Sequence, residues 1–341
     1  LGQALAVLHP EVFRQDLFFA YGNQSSYSLV QYVVAPLVER LGSSASFMGL
    51  ALLGLGLFLF SSWRLLTAVL PTPKLAYAGL LALIVFPGSY GAWNSLSFAE
   101  PFFTGRSLAE PLALLGMAAV MRVRTMPGVA LLALGAAFNP LQALPVIAST
   151  WTWLALGDRR WLHAAWLGLI AVMSAPWLSL TPGLFTRMDP AWFGQVWERN
   201  LVVFYSHSQA GDWYYLLTDA VLLVLTARRA AAPLRRFVVA IGLACGVLIA
   251  ASLAFADSAH LAWPAGLQLW RAHWLLHWTA LACLPWLILH TCQARGERSW
   301  LMLLLAFIAM GTTPANAHPL VPGIALLLLA RPWLERHLSI R

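Results

Sequence analysis

The chain has 341 residues, of which 60% are hydrophobic and only 10% charged. Soluble domains carry charge on roughly a quarter of their residues, so this composition excludes a soluble globular protein and places the chain in a membrane. The net charge of +8 does not signal a nucleic-acid partner, because the basic residues sit in short loops between apolar runs, where they set topology.

The apolar runs recur too often for a single anchor and are too long for barrel strands. The predicted fold is therefore all-α: a polytopic transmembrane helical bundle, with residues 1–341 forming a single transmembrane domain. Leu1–Leu8 is apolar but too short to cross a bilayer, and reads as a trimmed first helix or the remnant of a signal-like start. Further spans are predicted at about 46–66, 75–89, 107–122, 126–138, 141–157, 161–180, 213–227, 236–255, 271–291, 299–313 and 319–331. With the first helix this makes about twelve spans, judged by length and apolarity. The segments 126–138 and 141–157 are also consistent with one bent or re-entrant hairpin hinged at Asn139-Pro140.

Two short stretches outside the spans have one apolar side. Leu29, Val33, Val34, Leu37, Val38 and Leu41 would line one face of a helix broken or kinked at Pro36. Trp192, Phe193, Val196 and Trp197 would do the same ahead of Glu198 and Arg199. Helices of this kind lie along a membrane interface, anchoring a loop or walling a groove for a lipid tail.

The loops alternate in charge. One set carries Arg64, Lys74, Arg122, Arg124, Arg159, Arg160, Arg228, Arg229, Arg235, Arg236, Arg295, Arg298, Arg331, Arg336 and Arg341, fifteen basic residues against three acids. The other carries Arg14, Arg40, Arg106, Arg187, Arg199 and Arg271 against eight acids, with Glu110 and Asp219 just inside adjoining helices. The positive-inside rule makes the first set cytoplasmic and the second exoplasmic, which in a Gram-negative cell is the periplasmic face of the inner membrane. Nearly every other polar element falls on that second face.

The densest of these elements is Phe98–Pro111, FAEPFFTGRSLAEP, which sets Glu100, Arg106 and Glu110 between two apolar runs. Ionisable groups at the edge of a bilayer are costly, so they pair or work. The spacing predicts an ion pair between Arg106 and Glu110, four apart on one helix, and a turn at Pro101 and Gly105 that separates Glu100 from that helix. As a site, Glu100 and Arg106 would be part of a polar centre at the membrane surface; as scaffold, they would cap a span.

In the first loop Asp16, flanked by Arg14 and Gln15 and followed by Leu17-Phe18-Phe19, is the candidate general base. Glu11 is the alternative base, and Glu100 the second carboxylate. Arg14, Arg106, Arg271, His273 and His318 are candidates for holding a substrate; arginine suits a phosphate because its planar fork binds two oxygens at once. His273 and His277 share a helical face at a metal-ligand spacing, but without an HExxH glutamate or a clear third ligand. No metal and no cofactor is therefore expected. The three cysteines, Cys245, Cys283 and Cys292, match no metal spacing and read as small core residues.

A carboxylate in the first exoplasmic loop, a second in the next and many spans together resemble the GT-C class of membrane glycosyltransferases. The AEPFFTGRSLAEPLALLG run followed by NPLQALP is also similar to uncharacterised bacterial multi-span proteins of that general type. The resemblance implies a polyprenyl-phosphate-linked sugar as donor, an exoplasmic glycan or lipid as acceptor and a first-loop acid, Asp16 or Glu11, that activates the acceptor. The chain departs from the class in lacking an adjacent acidic pair in that loop and a large soluble C-terminal domain. Two rival functions remain: an O-antigen ligase or polymerase, relying on exoplasmic Arg and His, and a lipid-linked sugar flippase or permease, which wants charge deep within spans. A non-catalytic scaffold for envelope assembly would tolerate loss of any one carboxylate.

Overall fold

A computed structural model of the chain describes residues 1–16, 19, 27–164, 166, 186–200, 202–295 and 320–337. The described residues are mostly helical, as composition requires: in hydrocarbon each backbone N–H and C=O must be bonded within its own segment, which a helix does. Among them, three helices are long and apolar enough to cross a membrane, Ser43–Val69, Ala232–Ser258 and Ala262–Cys292. Pro73–Val85 and Thr125–Phe138 are apolar but shorter. The spans expected at 161–180 and 299–313 fall outside the described residues, apart from a few at the start of the first.

The helices are distributed over two compact units that interleave along the chain, Leu1–Ala68 with Phe98–Ile147 and Val69–Ser97 with Ala148–Arg341. The first unit opens with two short helices, α1 (Gly2–Leu8) and α2 (Pro10–Phe13). They are followed by α3 (Val30–Leu41), α4 (Ser43–Val69), α6 (Arg106–Met121), α7 (Thr125–Phe138) and the start of α8 (Pro140–Ala155). Of the break or kink expected at Pro36, the break does not occur: α3 runs on through that proline. Of the expected apolar side of α3, Val34 is buried and Leu37 and Val38 pack beside it. Gln31, Val34 and Ala35 are buried, whereas Leu29 and Leu41 are exposed.

Val34 and Ala35 join Ala4 of α1, Leu50 of α4, and Phe103 and Leu108 in one apolar cluster. The helices α6 and α7 approach backbone to backbone across glycines: a Cβ at Gly128 would lie 2.8 Å from the Gly116 carbonyl oxygen. Small residues at such a seam are how helices associate where water offers no hydrophobic drive. Asn139 separates α7 from α8 as expected, and its side-chain oxygen accepts the Gln142 N–H at 3.2 Å, capping the new helix.

The second unit holds α5 (Pro73–Val85), a two-stranded hairpin of β1 (Ser89–Tyr90) and β2 (Leu96–Ser97), and the short helix α9 (Pro190–Arg199). The longer α10 (Ala210–Arg229) and α11 (Ala232–Ala251) follow, the latter continued by a π-helical turn at Ser252–Ser258. The unit closes with α12 (Ala262–Leu267), α13 (His273–Arg295) and α14 (Leu320–His337). Here α13 is the central element, packed against α5, α10 and α11, with Trp270, Trp274 and Trp278 fully buried along it and its lead-in turn. Of the four residues expected on the apolar face of α9, Phe193, Val196 and Trp197 pack on Met188, Val203 and Phe204, while Trp192 is exposed. Asp189 starts it, accepting the Trp192 N–H at 2.9 Å.

Candidate functional site

Among the described residues, the buried charges of the first unit, Glu100 and Glu110, lie about the N-terminus of α6. Phe98 is anchored by stacking on Phe58 of α4, with ring centroids 5.6 Å apart. The next residue, Ala99, has φ +51°, a left-handed conformation unusual for any residue with a Cβ. It turns the chain so that Glu100 faces back over the loop. The Glu100 carboxylate meets the Arg106 guanidinium at 2.5 Å, with side-chain exposures of only 6% and 14%. Thr104 closes the arrangement, its hydroxyl donating to Glu100 at 3.0 Å while accepting the Arg106 N–H at 3.2 Å.

The expected Arg106–Glu110 ion pair is thereby corrected: the arginine turns to Glu100. Glu110, one turn on, is buried and accepts from the Ala99 N–H at 3.3 Å and from Gln142 Nε2 of α8 at 2.7 Å. The reason is directional. Side chains in the first turn of a helix lean toward its N-terminus, so Arg106 at the start of α6 points to the loop it has just left. Between the two charged residues Pro101, Phe102 and Phe103 face Phe47, Met48, Ala51 and Leu52 of α4 across an apolar cleft of about 510 Å³. Anionic and cationic groups and an apolar cleft thus share one eight-residue loop, 99–106.

The first-loop candidates lie elsewhere in this unit. Glu11 and Arg14 line an open cleft of about 730 Å³ whose other walls include Gln3, Phe13, Phe19, Gln31 and Tyr32. The carboxylate of Glu11 is largely exposed, 3.8 Å from the His9 ring. Asp16 is exposed on the turn that ends α2, its N–H donating to the Phe13 carbonyl at 3.1 Å and its own carbonyl accepting the Phe19 N–H.

A second polar centre lies inside the second unit. Asp219 of α10, fully buried, receives two histidines of α13: His273 Nε2 lies 3.2 Å from Oδ2 and His277 Nδ1 3.1 Å from both oxygens. His277 Nε2 donates to the Pro87 carbonyl at 3.0 Å, and Tyr205 bonds His273 Nδ1 at 3.3 Å. Because a carbonyl only accepts, Nε2 of His277 carries a proton; because a carboxylate only accepts, so does Nδ1. His277 is an imidazolium paired to an aspartate. His273 needs one proton, at Nε2, and accepts the Tyr205 hydroxyl at Nδ1. Burial, reinforced by the carboxylates of Asp212 and Asp219, pushes the Tyr205 phenol well above its ordinary pKa, so it stays a donor.

Arg271 precedes this centre on a 3₁₀ turn that begins at Gln268, itself left-handed at φ +45°. Arg271 is mostly buried, and its Nε donates to Gln268 Oε1 at 2.6 Å. Opposite, Asp212 accepts the N–H of Trp93 at 3.0 Å and of Gln209 at 2.8 Å, holding the exposed Trp93 on its left-handed turn.

Of the site residues expected from sequence, the structure brings together Glu100 with Arg106, and sets Glu11 with Arg14 on one cleft. Arg271 and His273 belong to the second unit, where His273 is a core residue with both ring nitrogens bonded, and His318 lies outside the described residues. Among the described residues no group of three His, Cys, Asp or Glu side chains is arranged to hold a metal ion. Sequence reading missed Asp219 as the hub of the two histidines, and Gln142 as the partner of Glu110. The only advance signal was the rarity of a carboxylate inside an apolar run. No protein-family model, curated protein or solved structure matches the chain.

Proposed function

We propose that the protein is a glycosyltransferase of the bacterial inner membrane. It transfers a sugar from a polyprenyl-phosphate carrier to a glycan or lipid acceptor at the periplasmic face, from a bundle of about twelve spans. The observation that carries this reading is the loop 99–106, which offers a shielded guanidinium and an apolar cleft side by side. A prenyl phosphate needs both: a bidentate cation for its phosphate and a dry wall for its chain. A second cleft of the same unit, lined by Glu11 and Arg14 with Phe13, Phe19 and Tyr32 on its walls, has the mix of carboxylate, guanidinium and aromatic surface that sugar hydroxyls and ring faces pack against.

In the reaction the acceptor hydroxyl gives its proton to Asp16 and its oxygen attacks the anomeric carbon. The bond from that carbon to the phosphate oxygen breaks, and polyprenyl phosphate leaves with the electron pair, its charge met by Arg106. Glu100 keeps the guanidinium in place and balances it when no phosphate is bound. The test is transfer by purified protein supplied with polyprenyl-phosphate sugars and candidate acceptors. Arg106→Ala should raise the donor KM by tenfold or more, since a charge-assisted hydrogen bond contributes roughly 1.5–3 kcal/mol; a donor KM unchanged by Arg106→Ala would remove Arg106 from the site.

The buried Asp219–His277 pair favours a second reading, a lipid-linked sugar permease, because charge within spans is the mark of a translocation path. Such a protein would move the carrier across vesicles with no glycosidic bond formed.

A further inference from the structure

The buried carboxylate of Glu110 takes no direct part in the chemistry above. Its two oxygens are committed, one to the Ala99 N–H at 3.3 Å and the other to Gln142 Nε2 at 2.7 Å. What it holds is unusual: Ala99 sits at φ +51°, where an alanine is strained and a glycine is not. Immediately beyond the strained residue come Glu100 and its bond to Arg106.

We infer that Glu110 is a positioning residue: through the Ala99 amide it holds the left-handed turn that aims Glu100 at Arg106, with Gln142 orienting the carboxylate for that task. As a statement about catalysis this rests on the glycosyltransferase reading; as a statement about the turn it does not. An acceptor inside α6 fixes the backbone of the preceding loop, so the Glu100–Arg106 pair is set before substrate arrives. Preorganisation of this kind matters most where a cation must meet developing phosphate charge without rearranging.

The test reads Arg106 in the whole protein, independently of any sugar transfer. Phenylglyoxal labels accessible guanidinium groups, and peptide mass spectrometry reports the rate at Arg106 by itself, with Glu100→Gln setting the rate for a released arginine. Glu110→Met removes both acceptors at similar volume and should raise Arg106 labelling by roughly 5- to 30-fold, the factor corresponding to the cost of a left-handed non-glycine residue. Glu110→Gln, which can still accept from Ala99, should stay within about twofold of wild type on the same scale. Adding Ala99→Gly to Glu110→Met should bring labelling back toward wild type, because a glycine holds the turn without a clamp. A role of Glu110 confined to packing α6 against α8 would not be rescued by a glycine in the loop.

Should Glu110→Met fail to fold, Ala99→Val attacks the same turn from outside the helix, since a β-branched residue is a genuine outlier at positive φ, and it too should expose Arg106. Unchanged labelling in folded Glu110→Met or in Ala99→Val, or failure of Ala99→Gly to restore protection, overturns the inference. Labelling that follows this pattern while wild type transfers no sugar to any acceptor upholds the clamp and counts against the enzyme reading instead.

Discussion

Replacing Asp219 by asparagine tests the buried centre of the second unit, and the structure sets its size. The asparagine keeps the shape of the carboxylate but removes the charge opposite His277, whose Nε2 remains committed to the Pro87 carbonyl. An imidazolium would then be left against a neutral amide in a site where Asp219, His273 and His277 are all 0–1% exposed. Breaking one partner of a buried pair costs roughly 3–5 kcal/mol, because the other charge is stranded. His277→Phe should cost less, because the His273 Nε2–H still bonds Asp219. In the double variant neither charge remains, so the two losses should fall short of additivity by about 1–3 kcal/mol.

The assay is reversible unfolding of the four proteins in detergent, followed by tryptophan fluorescence; Trp270, Trp274 and Trp278, buried beside the centre, make it sensitive. Additive losses would show that the two residues do not form a pair. A cost for Asp219→Asn below about 1 kcal/mol, the net value of an ordinary hydrogen bond, would refute the imidazolium assignment.

Two further perturbations address the fold. Gly116→Ala places a Cβ 2.9 Å from the Gly128 carbonyl oxygen and 2.8 Å from Leu132; overpacking of a closed seam costs roughly 1–3 kcal/mol. The melting temperature should therefore drop, whereas Gly56→Ala, with nothing within 4 Å, should leave it unchanged. Orientation is read by fusion: a reporter after Arg160 or Arg229 should be cytoplasmic and one inserted near Asp189 periplasmic, and the reverse pattern would overturn the placement of every site residue named above.

The helices were legible because in a membrane apolar length and helical structure are nearly the same signal; Asn139-Pro140 and the Pro101–Gly105 turn were legible because proline, glycine and asparagine punctuate the backbone. Which face of a helix turns inward was legible only in part. In α3 the middle of the apolar stripe, Val34, Leu37 and Val38, packs, but its ends Leu29 and Leu41 are exposed, and Gln31 and Ala35, which lie off the stripe, are buried. Where the outside is lipid, hydrophobicity does not distinguish inside from outside, and small or polar residues mark the contacts.

Partner choice was also out of reach. Spacing alone put Arg106 with Glu110, whereas a first-turn side chain leans backward onto Glu100, and Glu110 finds Gln142 32 residues away. His273 and His277 do share a helical face, but the carboxylate between them comes from α10, 54 and 58 residues distant. Local periodicity carries no trace of such pairs.

The central claim is that Asp16 accepts a proton from the acceptor during sugar transfer, and Asp16→Asn tests it most directly. Wild-type protein and the variant are each given a polyprenyl-phosphate sugar and an acceptor, and turnover is measured alongside donor binding. Loss of a general base lowers the rate about 10²- to 10⁴-fold, so the account predicts transfer reduced by that factor with donor affinity and folding unchanged. Transfer by Asp16→Asn at the wild-type rate would contradict it and pass the role to Glu11; carrier crossing the bilayer with no transfer by either protein would replace the enzyme with a permease.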